Sequence, residues 1–328
     1  MERSKSFVPI SSSDGGCFGG SWCFGFFFGM EAPMTIIDLN RAFSTEEKCR
    51  EYLGRVRWPH GPICPRCSAK TVSTIRTQGK FECSKCSYQF SVTAGTIFHD
   101  SHLPLEKWFM TTYLMCESRK GISANQLKRV LGVSYKTAWY LCHRIRAAMK
   151  EANPPPLAGT VEMDETYIGG RRRGLRAKVM QNKTMVLGAI QRGGDVRLKV
   201  EDRATKATLR KFLREHMAKG SKHLYTDDAS AYKMAPEIDT THESVNHSKE
   251  EWVRGQVHTN TIEGVFSLFK RSIIGSYHHL SAKHLDAYLD EFEFRFNRRR
   301  RADLFADTIR HLIAAHNLSF KALTRGQR

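Results

Sequence analysis

Thr160-Val-Glu-Met-Asp-Glu-Thr-Tyr-Ile168 is a short β-branched run closed by Gly169-Gly170, the pattern of a strand that ends in a turn. Asp164 stands mid-strand, where an apolar residue would cost less unless the position binds something. Downstream, Thr184-Met-Val-Leu-Gly-Ala-Ile190 and Val196-Arg-Leu-Lys-Val200 read as two further strands and 206–217 as a helix. His223-Leu-Tyr-Thr226 reads as a short strand that delivers Asp227 and Asp228, and 259–271 and 282–297 carry helical patterns. Three strands, a helix, a strand and more helices is the order of an α/β ribonuclease H-like domain, an order that also suits other mixed sheets.

Upstream, Pro154-Pro-Pro156 cannot lie inside a helix and marks a boundary. Before it, 123–131 and 135–146 read as helices separated by Gly132-Val-Ser134, the shape of a helix-turn-helix. Tyr135, Lys136, Thr137, Tyr140 and Arg144 would then face DNA, while Leu127, Val130, Val133, Ala138, Leu141 and Ile145 pack. A plain helical hairpin gives much the same pattern. Residues 104–115 read as another amphipathic helix, with Pro104 in its first turn, and 90–98 as a strand and turn.

Further upstream, Cys64-Pro-Arg-Cys67 and Cys83-Ser-Lys-Cys86 are separated by fifteen residues. Two such knuckles complete one closed tetrahedral site, which predicts a single structural Zn2+ in a zinc ribbon whose hairpin is 68–82. The alternative is two disulfides, which the scattered remaining cysteines disfavour. Residues 45–53 read as a capped helix. The first 33 residues, rich in Gly, Ser and Phe, read as a disordered or mis-annotated extension, with Met30 or Met34 as the expected start. The expected units are 1–33, a helix and ribbon over 34–100, a helix-turn-helix region over 101–153, an α/β domain over 157–317, and a tail over 318–328.

The chain has 328 residues, with 52 Lys and Arg against 33 acidic residues, a formal charge of +19. That balance favours a polyanionic partner held by phosphate neutralisation. It contains neither a basic amphipathic helix with a strong apolar face nor an apolar run of about 18 residues, so membrane attachment is disfavoured.

Asp164, Asp227 and Glu263, the last in the helical stretch Thr259-Asn-Thr-Ile-Glu263, could converge on two magnesium ions, which prefer hard oxygen ligands. Such a pair would serve in-line phosphoryl displacement. Singly, each carboxylate is a weak signal; the combination carries the reading. His258, His278 and His279 have no fixed partner spacing and read as polar or DNA-proximal.

From about Ile36 to about Asn317 the sequence resembles the bacterial insertion-sequence transposases of the fifteen-ninety-five group, related to the eukaryotic Merlin elements. The resemblance rests on the cysteine pairs, Val161-Glu-Met-Asp-Glu-Thr-Tyr-Ile-Gly-Gly170, Thr226-Asp-Asp-Ala-Ser-Ala-Tyr232, Val257-His-Thr-Asn-Thr-Ile-Glu263, Lys270, Gly275-Ser-Tyr-His278 and Tyr288-Leu-Asp-Glu-Phe-Glu-Phe-Arg-Phe-Asn-Arg298. It implies a DDE-type recombinase with a ribonuclease H-like core, with Asp164 and Asp227 at the first two acidic positions. The pattern places the acid directly after Thr226, which sets Asp227 above Asp228. Either Asn260 or Glu263 fills the third position. Glu263 is favoured because a charged carboxylate binds Mg2+ or Mn2+ better than an amide.

Lys270, Arg295 and Arg298 would contact DNA, and Arg298-Arg-Arg-Arg301 would contact phosphate or be merely solvated. Glu291 matches the family or forms an intrahelical salt bridge. The implied activity is binding of terminal inverted repeats, metal-dependent strand cleavage and strand transfer, by a homo-oligomer on DNA, in the bacterial cytoplasm at the nucleoid. A DNA-binding regulator without catalysis, or a nuclease on the same core, are the competing readings.

Overall fold

The computed structural model describes residues 34–169, 183–227, 240–245 and 253–325. The N-terminal extension, the basic loop 171–173 and Asp228 lie outside the described residues. Helices α1 (Ile36–Ala42) and α2 (Glu46–Arg57) are each started by a threonine hydroxyl, Thr35 accepting from the Asp38 amide and Thr45 from the Lys48 amide. A three-stranded antiparallel sheet follows, β1 (Val72–Ile75), β2 (Lys80–Cys83) and β3 (Gln89–Phe90), which is the expected ribbon hairpin plus one strand. The strand expected over 90–98 stops at Phe90, because the Thr96 hydroxyl donates to the Thr93 carbonyl and turns the chain.

Helices α3 (Leu105–Glu117), α4 (Ala124–Leu131) and α5 (Tyr135–Met149) come next. Gly132, at φ 62°, closes α4 in the left-handed conformation that glycine adopts without cost, and Ser134 caps α5. Two helices joined by a short capped turn are therefore present, as a helix-turn-helix and a plain helical hairpin both require, although Val130, expected to pack, is 54% exposed.

The α/β unit contains β4 (Thr160–Ile168), β5 (Thr184–Gln191), β6 (Val196–Glu201), α6 (Lys206–His216), β7 (His223–Asp227), β8 (Thr241–Val245), α7 (Asn260–Ser272) and α8 (Leu285–Asn297). Its sheet order is β6-β5-β4-β7-β8, antiparallel from β6 to β4 and parallel from β4 to β8. This is the ribonuclease H-like arrangement, and β4 has the bounds that the sequence predicts.

Strand alternation divides the two faces. Val161 and Met163 pack against Leu209, Phe212 and Leu213 of α6. Ile168, Val186 and Ile190 pack against Ile262, Val265, Phe266 and Phe269 of α7 and Leu289 and Phe292 of α8. Gly188, the register partner of Asp164, lets α7 come close: a Cβ there would lie 2.7 Å from the Phe266 ring and 3.0 Å from Ile262.

Two C-terminal helices depart from the expected unit boundaries. Helix α9 (Leu304–Ala314), expected on the α/β domain, inserts Phe305, Ile309 and Leu312 into the core of the N-terminal helices, among Leu39, Leu53, Phe109 and Leu141. The expected tail forms helix α10 (Phe320–Thr324), whose Phe320 ring lies beside Trp139 and Tyr140 of α5. The helical and α/β units also join through buried charge. Glu291 of α8, fully buried, accepts from Arg146 Nε of α5 at 2.7 Å and from the Tyr277 hydroxyl at 2.9 Å, and pairs with Arg295 at 3.2 Å. Among the described residues no helix is long and apolar enough to cross a membrane.

Candidate active site

The parallel pairing of β4 with β7 runs from Thr160↔His223 to Met163↔Thr226. The next residue on each strand is an aspartate, so Asp164 and Asp227 emerge side by side, on neighbouring strands about 4.8 Å apart. By alternation Asp164 points to the face covered by α7, and Glu263 sits in the first turn of that helix. The Thr259 hydroxyl donates to Glu263 Oε1 at 2.9 Å and orients that carboxylate. Burial pushes the Asp164 carboxyl up to about 7. The Glu165 amide, donating to its Oδ1 at 2.8 Å, opposes this, and the negative charges of Glu165, Glu263 and Asp227 add to it.

Asp164 thus feels the charge of an acid on a second strand and of one on a helix, although among the described residues the only acid, histidine or cysteine cluster whose donor atoms all lie within 4.8 Å of one another is the cysteine one. Hard, anionic oxygen donors in mutual repulsion suit a divalent cation such as Mg2+ or Mn2+, which would neutralise them. Asn260, the first residue of α7, is exposed one turn before Glu263.

Sequence reasoning missed the group that seats α7. Glu162, two residues before Asp164 and therefore on the same face, is fully buried. Its Oε2 accepts from the Thr261 amide at 2.8 Å and the Ile262 amide at 3.1 Å. Its Oε1 accepts from the Thr261 hydroxyl at 2.8 Å and from Arg192 Nε at 2.6 Å. Arg192 also donates to the His258 carbonyl at 3.2 Å and lies over the Tyr225 ring at 4.8 Å. His258, read from sequence as polar or DNA-proximal, instead packs its Nδ1 3.1 Å from Arg192 and 3.4 Å from Glu162. The available signal was a second acid at i−2 from Asp164, a spacing that shares a strand face.

In the ribbon, the Sγ atoms of Cys64, Cys67, Cys83 and Cys86 all lie within 4.8 Å of one another. Cys64 and Cys86 are 3.7 Å apart and Cys67 and Cys83 3.5 Å, close to the roughly 3.8 Å edge of a tetrahedron with 2.3 Å zinc–sulfur bonds. Each knuckle turns through a serine at positive φ, Ser68 at 58° and Ser87 at 53°, whose amide donates back to the first cysteine's carbonyl. All described cysteines are unpaired, so the disulfide alternative has no support here. The donor set fits Zn2+.

The residues expected to face DNA divide into two groups. Tyr135 and Lys136 are exposed, Thr137 half-buried, and Lys270 exposed on α7. Arg144 is a correction: it is 3% exposed, donates to the Ile97 and His99 carbonyls and to Asn317 Oδ1, and lies over Trp108. Arg295 is also buried, held by Glu291 and the Ser118 carbonyl. Arg298 is turned inward to Glu151 and Asp307. Tyr140 donates to the Leu318 carbonyl, so α10 covers part of the face assigned to DNA, and Lys136 lies over Phe320. The arginines at 299, 300 and 301 line, with Arg119, a cleft of about 730 Å³ floored by Leu268, Phe292 and Phe296.

Residues 156–297 match the family model described as the ISXO2-like transposase domain, and residues 44–89 match the transposase zinc-ribbon domain. An uncharacterized protein in transposable element ISH50 of Halobacterium salinarum is 32% identical over 275 residues, covering 78% of this chain and 92% of that protein. The chain belongs to the ISXO2-like transposase family. It is a DDE-type transposase, a polynucleotidyl transferase by kind, with a zinc ribbon at its N-terminal side.

Among solved structures, the HTLV-2 integrase catalytic core domain in complex with magnesium is 12% identical. The match covers 42% of this chain and 84% of that one, at a TM-score of 0.26. A simian T-cell lymphotropic virus intasome in complex with PP2A regulatory subunit B56 gamma is 11% identical, covering 56% and 66%, at a TM-score of 0.28. At these scores the overall likeness in shape is slight.

Proposed function

We propose that Asp164, Asp227 and Glu263 form the metal-binding active site of this transposase. It cuts DNA at the terminal inverted repeats of its element and joins the freed 3′ ends to target DNA. The observation that carries the reading is the β4–β7 register, which sets the two aspartates side by side beneath the helix of Glu263. Two divalent ions bound there would supply Lewis acidity to the attacking and leaving oxygens of an in-line phosphoryl displacement. The protein's own residues hold and aim the donors: Thr259 fixes the Glu263 carboxylate, and the paired strands fix the spacing of the aspartates.

In the first step water displaces the 3′ oxygen at the element end, leaving a 3′-hydroxyl and a 5′-phosphate. In the second, that hydroxyl displaces a target 3′ oxygen, so one phosphodiester bond forms as another breaks. Lys270, two turns beyond Glu263 on α7, would neutralise a nearby phosphate. The ribbon, the exposed start of α5 and the arginine-lined cleft offer the positive surface for the ends. Joining two ends calls for a dimer or larger assembly on DNA.

Asp164→Ala and Glu263→Ala should retain binding to inverted-repeat DNA and lose cleavage and strand transfer in Mg2+, whereas Asn260→Ala should keep measurable cleavage. Activity retained by Asp164→Ala would reject the site. Loss with Asn260→Ala alone would move the third ligand to that residue. Cleavage without joining by the wild-type protein would identify a nuclease instead.

A further inference from the structure

The amide end of α7 is seated by a residue that does not belong to the helix. A helix N-terminus normally takes its first acceptor from its own N-cap side chain. At α7 the N-cap position is Thr259, whose side chain makes no cap hydrogen bond. Its hydroxyl is directed instead to Glu263 Oε1. The acceptor role passes to Glu162 on β4, which takes the Thr261 and Ile262 amides and the Thr261 hydroxyl from ninety-nine and one hundred residues away. A buried carboxylate at a helix N-terminus is well matched to the positive end of the helix dipole. Its remaining charge meets Arg192 at 2.6 Å.

Arg192 follows β5, contacts the His258 carbonyl just before α7, and lies over Tyr225, two residues before Asp227. One ion pair therefore touches β4, β7 and the entry to α7, the three elements that carry Asp164, Asp227 and Glu263.

We propose that Glu162, with Arg192, is a positioning residue for divalent-metal binding: it caps α7 in place of Thr259, and so frees the Thr259 hydroxyl to hold the Glu263 carboxylate toward the two aspartates. This inference rests on the carboxylate site proposed above. It assigns Glu162 no contact with substrate. A purely structural ion pair would affect folding alone, whereas a positioning role affects metal affinity in protein that remains folded.

The test compares full-length variants with the wild type by Mn2+ titration, followed by electron paramagnetic resonance of free Mn2+ in the presence of end DNA. Circular dichroism melting checks the fold, and the metal dependence of cleavage is measured alongside. Glu162→Gln keeps the side-chain shape but removes the charge. It should weaken Mn2+ binding about tenfold, raise the metal concentration for half-maximal cleavage by a similar factor, and recover most of its cleavage rate at saturating Mn2+.

The Thr259 pair carries the test even if Glu162→Gln does not fold. Thr259→Val, nearly isosteric at a fully buried position, should weaken Mn2+ binding in the same way, and Thr259→Ser should restore it. Wild-type Mn2+ affinity in Thr259→Val would overturn the proposal, as would equal weakening in the Val and Ser variants or wild-type affinity in a folded Glu162→Gln. Asp164→Ala separates the two levels. If it loses Mn2+ binding while the Glu162 and Thr259 variants do not, only the positioning role fails; if it also binds and cleaves as wild type, the carboxylate site itself fails.

Discussion

The cysteine cluster and the proposed carboxylate site are built in opposite ways. In the ribbon, four thiols fall between Cys64 and Cys86, on two tight turns over a small core of Trp58, Ala69, Val72, Phe81, Tyr88, Phe90 and Ala94. In the α/β unit the three carboxylates come from β4, β7 and α7, and their approach is imposed by sheet register, by the contact of α7 over Gly188 and by the Glu162 cap. The first site is expected to need its ion in order to fold, because so small a core cannot offset chain entropy. The proposed second site is assembled by the fold, and burial of Asp164 beside other acids works against its ionisation until something neutralises it. In one, chemistry holds the fold; in the other, the fold holds the chemistry.

The strongest way to break this contrast is metal removal. Stripping zinc with a chelator, or replacing Cys64 and Cys67 with Ser, should unfold the ribbon, since structural zinc contributes on the order of 10 kcal/mol to such modules. Proteolysis should then cut within 44–89 while the α/β unit keeps its cooperative thermal transition, and end binding should weaken. A ribbon that stays protease-resistant without zinc would erase the distinction.

Next in size is the joint between the helical and α/β units. Glu291→Ala leaves Arg146 and Arg295 buried without their carboxylate and should cost about 3–5 kcal/mol in denaturant unfolding. A cost below about 1 kcal/mol would mean that the two units do not depend on this pair.

A smaller and more local effect should follow from Gly188→Ala, which touches no carboxylate yet pushes α7 off the sheet. The expected cost is about 1–3 kcal/mol, with cleavage falling more than end binding. Unchanged cleavage would show that the seat of α7 is not critical.

The last effect vanishes at neutral pH and grows only in acid. His143 is 1% exposed, neither ring nitrogen has a hydrogen-bond partner, and burial together with the charges of Arg146 and His284 lowers it to about 2. Trp139 and Tyr288 complete its surroundings. A depressed histidine is neutral when folded and protonated when unfolded below its ordinary value near 6.5. Its contribution is therefore full above pH 6.5 and shrinks as pH falls toward 2, by up to about 1.4 kcal/mol per pH unit. His143→Phe should flatten the acid limb of stability against pH between about 6.5 and 4; an unaltered slope would place the acid sensitivity elsewhere.

Much of the scaffold was legible because its signals are local. The cysteine spacing announces the ribbon, Gly132 and Ser134 announce the turn between α4 and α5, and the β-branched run at 160–168 announces the central strand with its aspartate. Strand β8 was not legible: Thr241-His-Glu-Ser-Val245 is short and polar, and only its pairing with β7 makes it a strand. The same holds for arginines on helices. From sequence, Arg144, Arg295 and Arg298 read as DNA-contacting cations; the i,i+4 spacing of Glu291 and Arg295 hints at one pair, but nothing nearby reveals that carbonyls at 97, 99 and 118 and carboxylates at 151 and 307 receive the rest.

By itself the sequence determined which atoms are available: four thiols on two knuckles, an aspartate in each of two strands, a glutamate in a helical first turn, and a strongly basic chain to meet phosphate. Tertiary structure alone decided which of them meet and which cations stay outside. Long-range register, the missing Cβ at Gly188 and the buried Glu162 act between residues far apart in the chain, where no spacing rule reaches. The physical reason is range: turns and caps are set by neighbours within a few residues, while burial and charge pairing depend on what the folded chain brings from elsewhere.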